Sequence, residues 1–269
     1  MKNNIKRYRA DKKFSIANTP TEDFAGLPAS KAEREQWVLD HSPEMDELQN
    51  RFYASGKHKM LILLQGMDTS GKDGTVRHVF HAVDPLGIRV QGFKAPSAEE
   101  LSHDYLWRIH KAMPSTGEIA IFNRSHYEDV LVTYVRGWID DAELQRRLRQ
   151  INDFERMLTE NGTILLKFFL HISKDEQKER LQKRLDNAKK HWKFNMSDLE
   201  DRKMWDPFQK QYQTVIRATS GDNAPWYIVP ADSKSGRNVI VMQIILEHLR
   251  ALNLDYPHVD TTGWPTEVE

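Results

Sequence analysis

The chain has 269 residues, and its 39 Lys and Arg residues balance 39 Asp and Glu residues, giving a formal net charge of zero. Hydrophobic residues make up 39% of the chain and aromatic residues 10%, which is enough for a sizeable core at this length. Since there is no cysteine, disulfides, zinc–thiolate sites, iron–sulfur clusters and thiol nucleophiles are excluded.

The first thirty residues are predicted to be irregular and basic, with six Lys or Arg and one Asp among residues 1–13. They lack the apolar run of a signal peptide, and the longest apolar runs are too short to cross a bilayer. We therefore expect a soluble, cytoplasmic protein without a membrane partner. Ser30 and Glu33 have capping-box spacing, which predicts an acidic, amphipathic helix from there to about Ser55.

Strand and helix patterns alternate along the rest of the chain. Short apolar runs predict five buried parallel strands, at 59–65, 88–93, 118–123, 163–171 and 226–230. Helical patterns between and after them fall at 75–83, 98–113, 125–136, 141–161, 174–186, 198–219 and 236–252. Capping-box spacing marks three of these starts, at Ser97/Glu100, Ser173/Glu176 and Ser197/Glu200. The expected fold is α/β, a five-stranded parallel sheet with helices on both faces.

The segment after the first predicted strand, Gly66-Met-Asp-Thr-Ser-Gly-Lys-Asp-Gly74, has the Gly-x4-Gly-Lys spacing of a Walker A phosphate-binding loop. Glycines let backbone N–H groups turn toward an anion, and the next helix contributes its positive N-terminal end. The alternative is a glycine-rich turn with a solvated lysine. The candidate phosphate ligands in this loop are Gly66, Met67, Thr69, Ser70, Gly71, Lys72, Asp73 and Gly74.

One position of this loop departs from the usual pattern. Asp73 stands where Ser or Thr normally ligates Mg²⁺, so another group must hold the metal. A carboxylate beside phosphates needs a cation between them, and we therefore predict that Asp68 is a Mg²⁺ ligand. Lys72 is predicted to place its charge against the terminal phosphates.

The end of the third predicted strand, residues 119–129, runs directly into polar residues, and ligands bind at the carboxyl ends of parallel strands. Asn123 takes the position of the Walker B aspartate. Arg124 is predicted to neutralise charge on the transferring phosphoryl group, and Glu128 to replace the missing carboxylate as a second metal ligand. In the alternative, Ser125 and Glu128 form a capping box and Glu128 only completes a helix start. Two neighbours are predicted to pack rather than catalyse: His126 and Tyr127.

Seven Lys or Arg and two acids lie in residues 178–193, a run that indicates either a solvated helix face or a lid of cations over the phosphates. Arg184 and Lys193 are the predicted phosphate contacts, and Asp198 and Arg202 are predicted to position the nucleotide or the lid. Helix spacing indicates core roles for Trp205, Phe208 and Tyr212. Three further candidates for the acceptor site, for which a surface role is the alternative, are Lys94, Asp104 and Arg108.

Together these motifs resemble those of the family 2 polyphosphate kinases. Residues 66–74 resemble that family's Walker A variant, residues 122–129 its Walker B segment, and Lys193 with residues 198–205 its lid and the helix after it. The resemblance spans roughly residues 53–252. It implies a three-layer P-loop kinase fold similar to thymidylate kinase with a helical lid. It also implies dependence on Mg²⁺, with Mn²⁺ as a second candidate, and phosphoryl transfer between inorganic polyphosphate and nucleotides.

Within that family, the form Asn123-Arg-Ser-His-Tyr-Glu-Asp129 resembles the subclass that phosphorylates both nucleoside mono- and diphosphates. The implied partners are polyphosphate with AMP and ADP, GDP being a further candidate, and a second copy of the chain in a homodimer or homotetramer. We expect residues 1–55 to form a basic arm and a helix packed on the core, and residues 56–269 to form the kinase domain with a lid at about 183–212.

Two other functions compete with this interpretation. An ATP-dependent nucleotide or small-molecule kinase of the same fold shares the glycine loop but needs no channel for a long polyanion. A nucleotide-dependent switch needs a base-reading Asn/Thr-Lys-x-Asp motif, which the sequence lacks. Nucleic acid is not the expected partner, although basic segments attract any polyanion. Zero net charge does not exclude a polyanion such as polyphosphate as the partner, because the charges are segregated: residues 1–13 and 178–193 are basic while residues 31–50 are acidic.

Overall fold

Five parallel strands form the centre of the fold in a computed structural model that describes residues 5–265 and 267. The strands are β1 (Lys59–Gln65), β2 (Ile88–Gly92), β3 (Ile119–Asn123), β4 (Thr163–His171) and β5 (Trp226–Pro230). Their order across the sheet is β2-β3-β1-β4-β5, and all neighbouring pairs are parallel. The structure confirms all five predicted strands to within one residue and the expected α/β fold.

The α-helices of the described residues are α1 (Lys31–Ser55), α2 (Lys72–Val79), α3 (Ala98–Leu101), α4 (Trp107–Lys111), α5 (Val132–Val135), α6 (Asp141–Glu160), α7 (Lys174–Leu185), α8 (Met196–Lys203), α9 (Trp205–Thr219) and α10 (Lys234–Ala251). The capping box predicted at Ser30 is present, since Ser30 accepts from the N–H of Glu33 and Glu33 accepts from that of Ser30. Within the described part of the chain, no helix combines the length and the apolar character needed to span a membrane.

Three predicted helices are wrong in their continuity. The helix predicted at 98–113 is two short helices, α3 and α4, and that at 125–136 is a 3₁₀ turn, His126–Val130, followed by α5. The helix predicted at 198–219 breaks at Met204 between α8 and α9. The capping pair Ser197/Glu200 is also misplaced, because α8 begins earlier, with the Asn195 side chain accepting from the N–H of Ser197 at 3.1 Å. The helix predicted from residue 75 begins at Lys72, so its first turn is part of the glycine loop.

Helices cover both faces of the sheet, as alternate side chains of β4 show. Phe169 packs on Tyr212 of α9, with 4.6 Å between ring centroids. Its neighbour Phe168 points to the opposite face and contacts Tyr227, whose ring lies against His248 of α10. The sheet is therefore buried on both sides, which explains why its strands are continuous apolar runs.

The topology places the loops after β1 and β3 side by side at the carboxyl edge of the sheet. Leu64 near the end of β1 is paired with Asn123 at the end of β3. One residue further on, the N–H of Arg124 donates to the carbonyl oxygen of Leu64 at 3.1 Å. Because β1 is the central strand, the glycine loop lies at the middle of this edge, between the loops that follow β3 and β4.

The N-terminal arm covers the edge strand β5. The N–H of Ala10 donates to the carbonyl oxygen of Trp226 at 2.9 Å, and Arg9 forms an antiparallel bridge with Tyr227. An uncovered edge strand is a template for pairing with another chain, so the arm protects this edge. The first four residues of the predicted basic segment lie outside the described residues.

Replacing Tyr8 by alanine is expected to lower the free energy of unfolding by about 3 kcal/mol, because its ring is only 6% exposed between the arm and the sheet. Urea unfolding measures this change. The matched control is Tyr53→Ala, whose ring is 51% exposed and whose loss should cost less than about 1 kcal/mol. Equal effects of the two substitutions would show that the arm does not contribute to the cooperative core.

Candidate active site

The loop between β1 and α2 is curled by backbone conformations that favour glycine. Gly66 and Gly71 have φ angles of 148° and 102°, and Thr69 has a φ of 64°, in the left-handed region that a β-branched residue rarely adopts. A Cβ atom at Gly66 would lie 2.7 Å from the carbonyl oxygen of Leu170. Gly71 is the N-cap of α2, so the positive end of that helix faces the loop.

Two buried hydroxyl groups of this loop, Thr69 Oγ1 and Ser70 Oγ, have no hydrogen-bond partner among the described residues. An unpartnered buried hydroxyl costs free energy, and native structures contain few of them. An oxyanion bound in the loop would supply the missing acceptors. These hydroxyls therefore support a phosphate site built by the loop itself.

Lys72 lies buried against the loop. Its Nζ donates to the carbonyl oxygens of Gly66 at 2.7 Å and Met67 at 3.3 Å. Burial lowers the pKa of Lys72, and the neighbouring charge of Arg124 lowers it further, while Asp68 acts in the opposite direction. The ammonium group is thus held at the loop by carbonyl oxygens, which are weaker partners than phosphate oxygens.

Asp68, Arg124 and Glu128 come together above the loop. Arg124 Nη2 donates to Asp68 Oδ1 at 2.8 Å. The backbone of Arg124 is left-handed, with a φ of 66°, which marks a strained conformation at the end of β3. Burial raises the pKa of Glu128; Arg124 and Lys72 oppose that shift, and Asp68 adds to it. Two predicted carboxylates and two predicted cations therefore share one site.

The alternative role of Glu128 as a capping residue is wrong. Ser125 Oγ accepts from the N–H of Tyr127, not from that of Glu128. The Glu128 side chain turns inward instead, where the Gln65 amide, oriented to satisfy both neighbours, donates to Glu128 Oε1 at 3.1 Å. The 3₁₀ turn thus directs this carboxylate toward the site.

The donor set can be compared with the needs of a divalent cation. No group of three or more His, Asp or Glu residues that would hold a metal on its own occurs within residues 5–265 and 267. Burial raises the pKa of both Asp198 and Asp201, and the charge of Asp68 raises both further, so these carboxylates lie near Asp68. Mg²⁺ typically takes one or two protein carboxylates and completes its shell with water and phosphate oxygens. The residues present fit that arrangement.

A contact between the predicted lid segment, residues 183–212, and the glycine loop runs through Asp73. Asn123 Nδ2 donates to Asp73 Oδ1 at 2.6 Å, and Lys193 Nζ lies 3.8 Å from Asp73 Oδ2. Asp73 is exposed, so this ion pair contributes less than about 1 kcal/mol to stability. The strand end, the start of α2 and the lid segment meet at one carboxylate.

The remaining predicted lid residues fall into two groups. Arg184 Nη1 donates to the carbonyl oxygen of Lys193 at 2.9 Å and to Asp198 Oδ2 at 3.2 Å. Arg202 lies apart from them, donating to the carbonyl oxygen of Lys174 and to Gln177 Oε1. Arg202 therefore braces α8 on α7 in this structure.

None of the three candidates for the acceptor site makes a described contact with the glycine loop, and two of them, Lys94 and Arg108, contact each other just after β2. Arg108 is buried, donates to the carbonyl oxygen of Lys94 at 2.9 Å and lies 3.6 Å from carboxylate oxygens of Glu100 and Asp129. Its alternative as a surface residue is wrong for that reason. Asp104 accepts from the N–H of Leu106 and is exposed, as is Lys94.

Two arginines behind the glycine loop were not predicted from the sequence. Arg180 Nη1 donates to the carbonyl oxygens of Thr69 and Ser70, and Arg237 Nη1 donates to that of Ser70. Arg180 is one of seven basic residues in the run at 178–193, and nothing in the sequence distinguishes it from the others. Arg237 gave no signal, because a single arginine in an apolar helix is ordinarily exposed.

Tyr212, which was predicted only as a core residue, also lies beside the site. Trp205, Phe208 and Tyr212 are buried in the core, as their spacing predicted. In addition, burial raises the pKa of Tyr212 well above its usual value, and the charges of Glu128 and Asp68 raise it further. The ring of Tyr212 is therefore part of the wall beside the two carboxylates.

A buried polar network anchors the turn that carries Glu128. Tyr127 Oη donates to Glu155 Oε1 at 2.7 Å, and His126 Nε2 lies 3.2 Å from the same oxygen. Lys167 Nζ donates to Glu155 Oε2 at 2.6 Å and to the carbonyl oxygen of Thr219 at 2.7 Å. His126 and Tyr127 are fully buried, which confirms that they pack rather than face the loop.

Comparison with known proteins gives a consistent result. The sequence model of the polyphosphate kinase 2 family matches residues 28–257. The AMP/ADP-polyphosphate phosphotransferase of Meiothermus ruber is 46% identical over 267 residues, which cover 98% of this chain and 100% of that protein. The ADP-polyphosphate phosphotransferase of Rhodopseudomonas palustris is 39% identical over 271 residues, covering 96% and 93%. The crystal structure of polyphosphate kinase 2 from Arthrobacter aurescens TC1 has a TM-score of 0.92 and 44% identity, covering 94% of this chain and 91% of that one.

Proposed function

The chain belongs to the polyphosphate kinase 2 family, and we propose that it transfers phosphoryl groups between inorganic polyphosphate and both AMP and ADP. Phosphoryl transfer between polyphosphate and nucleotides is the activity by which its relatives are named, and the family resemblance predicted from the motifs is confirmed. The observation that carries the proposal is the convergence of Asp68, Lys72 and Arg124 on a loop with two unpartnered hydroxyls. That combination suits a chain of phosphates.

The choice of both acceptors rests on the segment after β3. The form Asn123-Arg-Ser-His-Tyr-Glu-Asp129 resembles that of the subclass that acts on both nucleoside mono- and diphosphates. The relative that shares 46% of its residues with this chain is named for both AMP and ADP. In this structure the Asn123 amide donates to Asp73, a contact that an aspartate at the same position would turn into a repulsion.

Phosphoryl transfer mainly requires that the protein position the reactants and neutralise their charge. A terminal phosphate oxygen of AMP or ADP attacks the end phosphorus of polyphosphate in line, the P–O bond to the rest of the chain breaks, and the shortened polyphosphate leaves. Loop amides and Lys72 hold the phosphates, and Arg124 is placed to neutralise charge on the transferring group. Since the attacking oxygen is already ionised, no general base is needed, which is consistent with the burial of His126.

Two carboxylates would hold a divalent cation, Asp68 and, beside it, Glu128. Mg²⁺ is the proposed ion and Mn²⁺ a second candidate. When bound, the ion neutralises part of the phosphate charge. In the structure Arg124 donates to one oxygen of Asp68, a residue of the glycine loop, so its guanidinium group is held beside that loop.

We further propose that residues 183–212 act as a lid. Arg184 and Lys193 are the proposed polyphosphate contacts, and Lys193 already reaches the start of α2 through Asp73. A homodimer or homotetramer is the proposed assembly, which light scattering after size-exclusion chromatography tests directly.

The deciding experiment incubates the protein with polyphosphate and Mg²⁺ and offers AMP, ADP or GDP in turn, with nucleotide products separated by chromatography. We expect ADP and ATP from AMP, and ATP from ADP. The same acceptors with ATP as sole donor test the alternative of an ordinary nucleotide kinase. Turnover with ATP but none with polyphosphate would overturn the proposal.

Asp198 gives a prediction with a defined pH dependence. Burial, and then the charge of Asp68, raise the pKa of Asp198 to about 6. The unfolded chain releases this proton near pH 4, so raising the pH from about 4 to about 6 disfavours the folded state at this residue. Asp198→Asn removes that penalty. The free energy of unfolding of Asp198→Asn, relative to that of wild type, is expected to rise by about 1 to 3 kcal/mol as the pH is raised from about 4.5 to about 7.5.

Urea unfolding at a series of pH values measures this difference. Asp222→Asn, which changes a fully exposed carboxylate next to the N-terminal arm, supplies the baseline. A difference between Asp198→Asn and wild type that does not vary with pH would contradict the prediction.

A further inference from the structure

Two buried guanidinium groups meet at one carbonyl oxygen behind the glycine loop. Arg180 Nη1 lies 3.1 Å and Arg237 Nη1 3.2 Å from the carbonyl oxygen of Ser70. Arg180 is fixed from the other side by the carbonyl oxygens of Ala231 and Asp232, after β5. The Ser70 carbonyl is thus fixed by donors from α7 and α10.

The geometry of the peptide bond carries this constraint to the opposite side of the loop. In a trans peptide the C=O and the following N–H point in opposite directions, and the structure contains no cis peptide among its described residues. With the Ser70 carbonyl turned toward the arginines, the N–H of Gly71 is turned away from them, toward the anion side of the loop. Charge-assisted bonds to the carbonyl also polarise that peptide and strengthen its N–H as a donor.

The loop glycines leave room for this arrangement. A Cβ atom built on Gly71 would lie 1.8 Å from Arg237 Nη1, and one on Gly74 would lie 3.3 Å from Nη2. The second and third glycines of the motif therefore have a local reason besides the curvature of the loop, because they admit a guanidinium against the backbone.

Arg237 also leaves its charge uncompensated. Its side chain is 2% exposed, and its other acceptor is the neutral Asn238 Oδ1 at 2.9 Å. Burial, and then the charge of Arg180, lower the pKa of Arg237 to about 9, so the group remains protonated at neutral pH. Arg180 is paired with Glu176, whereas Arg237 forms no ion pair with a carboxylate in the described part of the chain. A buried charge without a partner is costly to the folded protein.

We propose that Arg237 is a positioning residue for polyphosphate, which fixes the Ser70–Gly71 peptide from beneath the loop and adds positive potential where the phosphates bind. The inference rests on the proposed function, since a phosphate chain must occupy the loop. It explains why a buried cation is retained without a carboxylate: its counter-charge arrives with the substrate.

The test is Arg237→Met, compared with wild type in two measurements. Titration calorimetry with inorganic tripolyphosphate and Mg²⁺, without nucleotide, reports binding independently of turnover. Urea unfolding reports the stability of the free protein. We expect the variant to bind tripolyphosphate about tenfold or more weakly. The free variant should be as stable as wild type or more stable, because an unpaired buried charge has been removed.

Arg34→Met is the matched control. Arg34 is likewise buried; it donates to the carbonyl oxygens of Pro28 and Ala29 and to Ser235 Oγ on α10, and it makes no described contact with the loop. Its replacement should leave tripolyphosphate affinity within about twofold of wild type. A second variant, Arg237→Lys, keeps the charge without the planar fork, and is expected to recover part of the affinity lost in Arg237→Met.

Wild-type affinity in Arg237→Met, or an equal loss in Arg34→Met, would overturn the inference while leaving the proposed function in place. A fall in the stability of free Arg237→Met, with no recovery of affinity in a folded Arg237→Lys, would assign Arg237 a structural role and also overturn it. Wild-type protein that fails to bind tripolyphosphate would overturn the proposed function and this inference together.

Discussion

Replacing Lys72 by alanine is expected to lower turnover with polyphosphate and ADP by about a thousandfold or more, while the fold stays intact. The loss follows from removing a lysine whose ammonium lies in the loop, bonded to the carbonyl oxygens of Gly66 and Met67. The free energy of unfolding should change little, because burial lowers the pKa of Lys72, which means that its charged form is already disfavoured in the free folded protein. Chromatography of nucleotide products measures turnover, and circular dichroism measures folding.

Lys31→Ala is the control for loss of an exposed lysine outside the glycine loop and the proposed lid. Lys31 lies on α1, is exposed, and pairs with Glu35 at 3.6 Å. Its removal should change turnover less than about twofold. Residual activity of Lys72→Ala within about tenfold of wild type would refute the role assigned to Lys72.

Replacing Lys167 by methionine is expected to lower the free energy of unfolding by about 3 to 5 kcal/mol. Lys167 is fully buried, and its removal leaves the Glu155 carboxylate without the cation that holds its pKa below the usual range against the effect of burial. Tyr127 and Thr219 lose a donor as well. Urea unfolding measures the loss; a change below about 1 kcal/mol would contradict the prediction.

The double variant Lys167→Met/Glu155→Met separates a broken ion pair from a lost volume. Replacing both partners by apolar side chains of similar size removes the unpaired charge, so much of the stability should return. Activity need not return with it, since Tyr127 and His126 lose the acceptor that anchors the turn carrying Glu128. A double variant as unstable as the single one would show that packing, not charge, causes the loss.

The strands and the glycine loop were predictable because their signals are local. A buried parallel strand is a continuous apolar run, and the loop needs glycines at fixed positions in the chain. The central position of β1 follows less directly, but any P-loop motif after the first strand of an α/β pattern places Lys72 at the carboxyl edge. Arg124 was predictable for the same reason, as the residue that follows the neighbouring strand.

The rest depends on contacts between distant segments. Met204 interrupts a pattern whose apolar spacing is continuous, so periodicity predicted one helix where α8 and α9 are two. Arg202 resembled a nucleotide ligand by its motif, yet in this structure its guanidinium contacts α7. Lys167 lies in an apolar run and Glu155 in an amphipathic helix, and only the packing of α6 on β4 reveals them as a pair.

The arm on β5 has a consequence for the order in which the chain is made. Ala10 leaves the ribosome well before its acceptor, Trp226, which is synthesised more than two hundred residues later. Glu44 of α1 likewise pairs with Arg250 of α10. During translation the arm and α1 must therefore wait for β5 and α10 before they can form these contacts, so this part of the native fold closes only after α10 has been synthesised.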